Sequence, residues 1–334
     1  VRNGGRFDGA AGIVCALELL TVLRENRIDL NHPFQVFCFV EEEGTALQSG
    51  LLGSRWFTGE ATEKDLPPLK YENRVEALQV IREFRKDFEA VPSSRDMVHA
   101  PGNIRCFFEV HIEQGPVLES RGLHIGVVSA IAGSSTIEVT VTGRSDHAGS
   151  TPMDLRSDAF EVAARAAVEM YEYARSLPAT VATVGRMEIP GGSSNRVPGQ
   201  VWFTMDLRSS DGEVMDRLIP HAMKTLDRIA ADKGAHVQVS TSHFVPPIGL
   251  DRELRQVLMN KTEQMTGSAM EMNSGAAHDS LVMARHFPTA MLFVPSRGGR
   301  SHCPEEYSDV ADLALAVDVL IQAVLELDGQ IEQF

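Results

Sequence analysis

The chain has 334 residues, 43% of them hydrophobic, enough for a sizeable core and for more than one domain. Lysine and arginine total 31 against 46 aspartates and glutamates, a formal charge of -15, which argues against a nonspecific hold on phosphate backbones and so against a nucleic-acid partner. No apolar run approaches the roughly 18 residues that span a bilayer, and the start lacks the charged and apolar regions of a signal peptide, so the chain reads as cytoplasmic with no membrane partner.

The sequence opens on a glycine-rich loop, "RNGGRFDGAAG", that carries Asp8. From there Ile13, Leu17 and Leu20 recur at helical spacing and predict a helix ending near Asn26. "PFQVFCFV", Pro33 to Val40, is a continuous apolar run of the kind expected for a strand buried on both faces; it stops at Glu41, Glu42 and Glu43. "CFFEVHIEQG" repeats the design, an apolar strand running out into His111, Glu113 and Gln114. In open α/β sheets ligand sites form beyond the carboxyl ends of strands, so these two ends are where chemistry is expected.

Between about Ile125 and Phe244 the texture becomes a shorter alternation that reads β-β-α-β-β-α-β. The strands are "HIGVVSAI", "TIEVTVTG", "TVATVGRMEI", "QVWFTMDLR" and "HVQVSTSHF"; the helices are Ser157 to Ser176 and Gly212 to Lys233. In "VWFTMDLR" the alternation puts Val201, Phe203, Met205 and Leu207 on one face and Thr204, Asp206 and Arg208 on the other. Residues from about 245 return to helix, apolar strand ("TAMLFVPS") and loop. The expected fold is therefore α/β: a helix-flanked mixed-sheet catalytic domain made of residues 1–128 and 243–334, with a ferredoxin-like α+β domain inserted over 129–242.

Polar residues at predicted strand ends and loops include Asp8, Glu42, Glu43, His111, His147, His278 and His302. Singly each has a plain structural reading: a glutamate run is a solvated strand edge, His111 a satisfied core imidazole, His278 a helix-start residue. Together, carboxylates and imidazoles without clustered thiolates suit Zn2+, Mn2+, Co2+ or Ni2+ and argue against a structural zinc site; Cys15, Cys38, Cys106 and Cys303 are scattered with no CxxC spacing. A two-metal site needs a bridging carboxylate, ligands on each side and a base outside the coordination sphere. Glu42 and Glu43 are adjacent, and spacing alone does not divide those roles between them. "PGGSSN" lacks the GxGxxG spacing and opens no helix, so no nucleotide is expected.

"GGRFDGAAG", "EEEG", "HIEQGPVLE", "GRSDHAGSTPM", "SGAAHDS" and "VPSRGGRSHCPEE", in this order, resemble the N-carbamoyl-L-amino acid hydrolases, β-ureidopropionases and allantoate amidohydrolases, members of a larger group of dimetal aminoacylases and carboxypeptidases. The resemblance runs over nearly the whole chain. It implies a cytoplasmic homodimer that uses two divalent metal ions to hydrolyse a linear amide in a small ureido acid, giving an amino acid, ammonia and carbon dioxide. Position by position, it implies that Asp8 bridges the metals, that Glu43 ligates one ion and His111 the other, and that His302 is the last imidazole ligand. It implies that Glu42 is the general base, that His147, presented by the inserted domain, holds the reacting carbonyl oxygen, and that His278 is a second non-ligand histidine near the reacting group. Asn195 and Arg208 fall on the clamp for the substrate carboxylate, and Gln114 on a further substrate contact.

The family carries one more metal-ligating histidine, in a "GSHxD" strand end shortly before the bridging aspartate, and this chain begins after it. The chain therefore reads as an N-terminally truncated piece of such an enzyme; the alternatives are an allantoate amidohydrolase and a catalytically inactive binding or dimerisation fragment. Ala277 and Arg300 depart from the family's usual residues near the pocket, which leaves the particular ureido compound open.

Overall fold

Every side chain of Thr289–Val294 is buried, as a strand covered on both faces requires. This strand lies at the centre of a sheet in the computed structural model, which describes residues 1, 3–45, 49–62, 79 and 104–330. In chain order the elements used below are α1 (Ala10–Glu25), α2 (Leu52–Thr58), β1 (Phe107–Ile112), α3 (Val117–Arg121), β2 (Gly126–Ile131), β3 (Gly133–Thr142), α4 (Ala159–Arg175), β4 (Thr180–Glu188), β5 (Gln200–Ser209), α5 (Gly212–Asp232), β6 (His236–Val245), β7 (Ile248–Gly249), α6 (Arg252–Thr266), β8 (Met270–Ser274), α7 (Asp279–Met283), β9 (Thr289–Val294) and α8 (Val310–Gln330). They divide into two units, Val1–Ser129 with Gly249–Phe334, and Ala130–Ile248.

The first unit is built on a mixed sheet ordered β1-β9-β2-β7, with β8 also on β2. β1 runs parallel to β9 in register from Phe107↔Thr289 to Ile112↔Val294, and β2 runs antiparallel to β9. Ala11, Cys15, Leu19 and Leu23 of α1 pack with Val110, Ile112, Leu292 and Val294 of the sheet and with Ala316, Val317 and Leu320 of α8. Gly12 lets α1 come close to β1, since a Cβ there would sit 2.3 Å from the Val110 carbonyl oxygen. Burying one such aliphatic side chain contributes about 1.5–3 kcal/mol, so this stripe fixes the helix on the sheet.

The second unit reads β3-α4-β4-β5-α5-β6 with its antiparallel sheet ordered β4-β5-β3-β6, the ferredoxin-like arrangement. One sheet face, with Ile137, Val139, Val141, Val201, Phe203, Met205 and Leu207 all at 0% exposure, lies in one core with α4 and α5. Asp158 and Asp211 cap the two helices, each accepting hydrogen bonds from two backbone N–H groups of the first turn.

Three expectations change. "PFQVFCFV" is not a ladder strand: Pro33–Phe39 belongs to no helix or strand, and Phe37 and Phe39 cluster with Phe57 and Phe107. The aromatic cluster covers the run only in part: Phe34, Val36, Phe37 and Phe39 are half-buried, and Cys38 and Val40 are exposed. "HIGVVSAI" belongs to the first sheet as β2, so the second unit loses the leading strand assigned to it. The crossings fall at Ser129/Ala130 and Ile248/Gly249 rather than at 128/129 and 242/243, because β6 continues to Val245. The buried stripe of α1 is the Ala11 set; Leu17 is 51% exposed, because α1 is apolar around most of its circumference and periodicity cannot choose the face. Among the described residues, no helix is long and apolar enough to cross a membrane.

Candidate metal centre

Parallel pairing of β1 and β9 brings their carboxyl ends to one edge of the sheet. β1 presents Glu109 and His111, two residues apart and so on one face, while the segment after β9 carries Ser301, His302 and Glu306. The turn through Glu41–Glu43 is held by the start of α2, whose unpaired N–H groups at Leu51, Leu52 and Gly53 donate to the carbonyls of Glu42, Glu41 and Val40. Glu41 has a left-handed backbone, φ 58, and the chain bends through Glu42 and Glu43. Adjacent glutamates, which an extended strand would send to opposite faces, therefore line one cavity together with Asp8, Glu109, His111, Asp279 and His302.

Asp8 lies between two imidazoles. Its Oδ1 is 3.1 Å from His111 Nε2 and its Oδ2 is 3.2 Å from His302 Nε2, and His302 Nε2 lies 2.7 Å from Glu43 Oε1. Gln114 Nε2 donates to Asp8 Oδ2 at 2.8 Å. His111 Nδ1 lies 2.8 Å from the Ile112 carbonyl oxygen, to which it donates, leaving Nε2 as the atom directed at Asp8. Ligand atoms of Asp8, Glu43 and His302 lie within 4.8 Å of one another, and so do those of Glu109, His111 and His278. The structure thus brings Asp8, Glu42, Glu43, His111, Gln114, His278 and His302 together in the first unit.

The charges are unbalanced in a way that suits a cation. Burial, and then the charges of Glu43, Asp279 and Glu109, push the Glu42 carboxyl up to about 8. Burial and Glu109 push Asp279 up to about 7, against a hydrogen bond from Ser54. Burial also opposes ionisation of Asp8, but its hydrogen bond and attraction to His111, with Ser301 and Gln114, hold it well below the usual carboxylate range. His111 is raised to about 9: burial lowers it, and the hydrogen bond it donates to Asp8, with the charges of Glu109 and Asp8, outweighs burial. His278 stays neutral because it is buried and faces His111, 4.5 Å away between ring centroids. Carboxylates packed so closely cannot all ionise without a positive partner, and the hard oxygen and imidazole donors fit divalent cations. Gln114 Oε1, buried and without a hydrogen-bond partner among the described residues, adds an uncommitted acceptor beside Asp8.

His278 occupies the N-cap position of α7, with Nε2 2.8 Å from the Ser274 hydroxyl, so the helix-start reading describes its backbone and the imidazole cluster its ring. Glu113 turns away from the cluster and accepts from Val117 and Leu118 N–H at the start of α3. Sequence reasoning missed Glu109, Asp279 and Glu306. Period-two spacing from His111 could have found Glu109; the other two carry no periodic signal.

His147, Asn195 and Arg208 lie in the second unit. There the segments around His147 and Asn195 are laced together by Ala148 N–H to Asn195 O and Val197 N–H to Asp146 O, both 2.9 Å. His147 Nδ1 accepts from the N–H groups of Gly149 and Ser150, which leaves the proton of the neutral ring on Nε2 as a donor. Asn195 Oδ1 accepts from Ser193, and Arg208 sets Nε and Nη2 against the two oxygens of Asp206 at 2.8 and 3.4 Å.

Residues 2–326 match the model of peptidase family M20/M25/M40. The chain is 39% identical over 330 residues to an N-carbamoyl-L-amino-acid amidohydrolase of Paenarthrobacter aurescens, covering 98% of this chain and 79% of that protein. It is 31% identical over 330 residues to the allantoate amidohydrolase of Bacillus subtilis, covering 98% and 78%. The crystal structure of a hydantoinase/carbamoylase family amidase from Burkholderia multivorans superposes with a TM-score of 0.88 at 30% identity, covering 97% of this chain and 77% of that one. A family match over almost the whole length, on a chain whose strand ends gather carboxylates and imidazoles, makes this protein a member of peptidase family M20/M25/M40 and a hydrolase of amide bonds.

Proposed function

We propose that the protein hydrolyses the linear ureido C–N bond of an N-carbamoyl-L-amino acid or a closely related ureido acid. Water adds to the ureido carbonyl, the bond to the amino-acid nitrogen breaks, and the carbamate released decays to ammonia and carbon dioxide. The observation that carries the reading is Asp8, with one carboxylate oxygen toward His111 and the other toward His302. Asp8, Glu43, His111 and His302 would hold two divalent cations, of which Zn2+, Mn2+, Co2+ and Ni2+ suit the donors. When bound, they polarise the carbonyl and make water a competent nucleophile near neutral pH.

The chain's own residues divide the remaining work. Glu42, in the same cavity, takes the proton from the attacking water and delivers it to the leaving nitrogen. His147 offers its Nε2–H to the carbonyl oxygen as charge develops there. Arg208 and Asn195 hold the substrate carboxylate, Gln114 makes a further substrate contact, and His278 stands behind His111. The family resemblance also supports a cytoplasmic homodimer.

An allantoate substrate is the second reading, favoured by the similarity to the Bacillus subtilis amidohydrolase. Ammonia release from N-carbamoyl-L-amino acids, allantoate and ureidoglycolate, measured with each metal added, tests both. Bound metal without ammonia from any substrate would leave a binding or dimerisation protein instead.

A further inference from the structure

Glu306 is 2% exposed, yet it is not one of the residues that approach each other as metal ligands. Its Oε1 accepts from the backbone N–H groups of Phe7 and Asp8, both at 2.9 Å. Its Oε2 accepts from the Ser301 hydroxyl at 2.7 Å and from His302 N–H at 3.3 Å. One carboxylate thus holds the backbone of two proposed ligands that lie near opposite ends of the sequence. We propose that Glu306 is a positioning residue for the metal centre, setting the separation of Asp8 and His302; this rests on reading those two as ligands.

Three further observations point the same way. Gly5 lies directly against the carboxylate: a Cβ there would be 2.0 Å from Glu306 Oε1, so only glycine lets the Asp8 loop close onto it. His302 is held in the left-handed region at φ 57, a conformation uncommon outside glycine, and its N–H is one of the groups Glu306 accepts. The Ser301 hydroxyl lies 2.9 Å from Asp8 Oδ2 as well as 2.7 Å from Glu306 Oε2. It has one proton to give: in the metal-free chain Asp8 can take it, and with a cation at Asp8 Oδ2 Glu306 accepts it and leaves that oxygen's lone pair to the metal. An acceptor-only carboxylate suits a point where four donors converge, whereas an amide would turn N–H groups toward two of them.

The test is Mn2+ affinity by calorimetry on the full chain, with the unfolding temperature of the metal-free protein measured alongside, for wild type, Glu306→Gln and Gly5→Ala. Both substitutions should weaken Mn2+ binding about 10- to 100-fold, the range typical of residues that orient metal ligands. If one variant does not fold, the other decides. Wild-type affinity in the folded variants, with or without a lower metal-free unfolding temperature, overturns the clamp and leaves Glu306 a structural residue. A wild-type chain that binds no Mn2+ overturns the ligand reading itself, and the clamp with it.

Discussion

Asp8 Oδ1 and His111 Nε2 meet at 3.1 Å, and the pair moves both groups toward their charged forms: Asp8 falls well below the usual carboxylate range and His111 rises to about 9. Glu42 and Asp279, without such a partner, move the other way, to about 8 and about 7.

Stability of the metal-free protein should therefore fall as pH rises from about 5 to about 9. Glu42, Asp279 and His111 hold protons more tightly folded than unfolded. Their contribution is complete below the ordinary values of 4.5, 3.8 and 6.5 and is lost as pH passes about 8, 7 and 9. Asp8 and His278 have the opposite sign: the Asp8 contribution is present above 3.8 and lost only at lower pH, and that of His278, kept neutral by burial, is present above 6.5 and offsets part of the fall below it. Added Mn2+ should reverse the trend, since a cation favours ionised carboxylates and neutral imidazole. Urea midpoints across this range, with chelator and with Mn2+, check both signs; a metal-free stability that rises with pH would contradict the charge distribution described.

Glu42→Gln should keep metal content near the wild-type value and lower kcat by about 10²- to 10⁴-fold, because it removes proton transfer and spares the ligands. Glu43→Gln should lose metal instead. Elemental analysis of both variants beside their kinetics makes the distinction, and equal metal loss in the two would end the division of roles.

Arg208→Lys keeps the charge and loses the planar fork, so KM for an N-carbamoyl amino acid should rise about 10- to 100-fold, the worth of a charge-assisted hydrogen bond of about 1.5–3 kcal/mol. Arg208 already faces Asp206 through Nε and Nη2, which pre-orients the guanidinium. KM for the acid against its carboxamide is the deciding comparison. A wild-type enzyme that accepts both equally is not reading a carboxylate, and the substrate class would have to be given up.

Phe203→Ala should cost about 3–5 kcal/mol, since the ring is fully buried beneath α4 and α5 and leaves a cavity. Met223→Ala, at a side chain 44% exposed on α5, should stay within about 0.5 kcal/mol. Denaturant unfolding of the two variants checks the contrast.

The ferredoxin-like unit was legible in the sequence because one face of its sheet meets helices and the other does not. Val201, Phe203, Met205 and Leu207 then had to alternate with Thr204, Asp206 and Arg208. Pro33–Val40 misled, because an apolar run states how much surface must be hidden and not which backbone pairs with which. At the site, residues where an apolar strand runs out were visible, as with His111. Glu109, inside the same strand, was hidden by its apolar neighbours, and Glu306 sits in a polar loop where one more carboxylate stands out from nothing. Its role exists only once residues from the two ends of the sequence meet.

That meeting has a topological consequence. A cation shared by Asp8 and His302 would be a cross-link closing a loop of nearly the whole chain, and the entropy removed from an unfolded chain by such a closure grows with the logarithm of loop length. The centre would act as a non-covalent staple between the segment before α1 and the segment before α8. The complete centre would therefore require the long-range pairing of β9 beside β1 to be in place, since that pairing brings the two segments to one edge of the sheet.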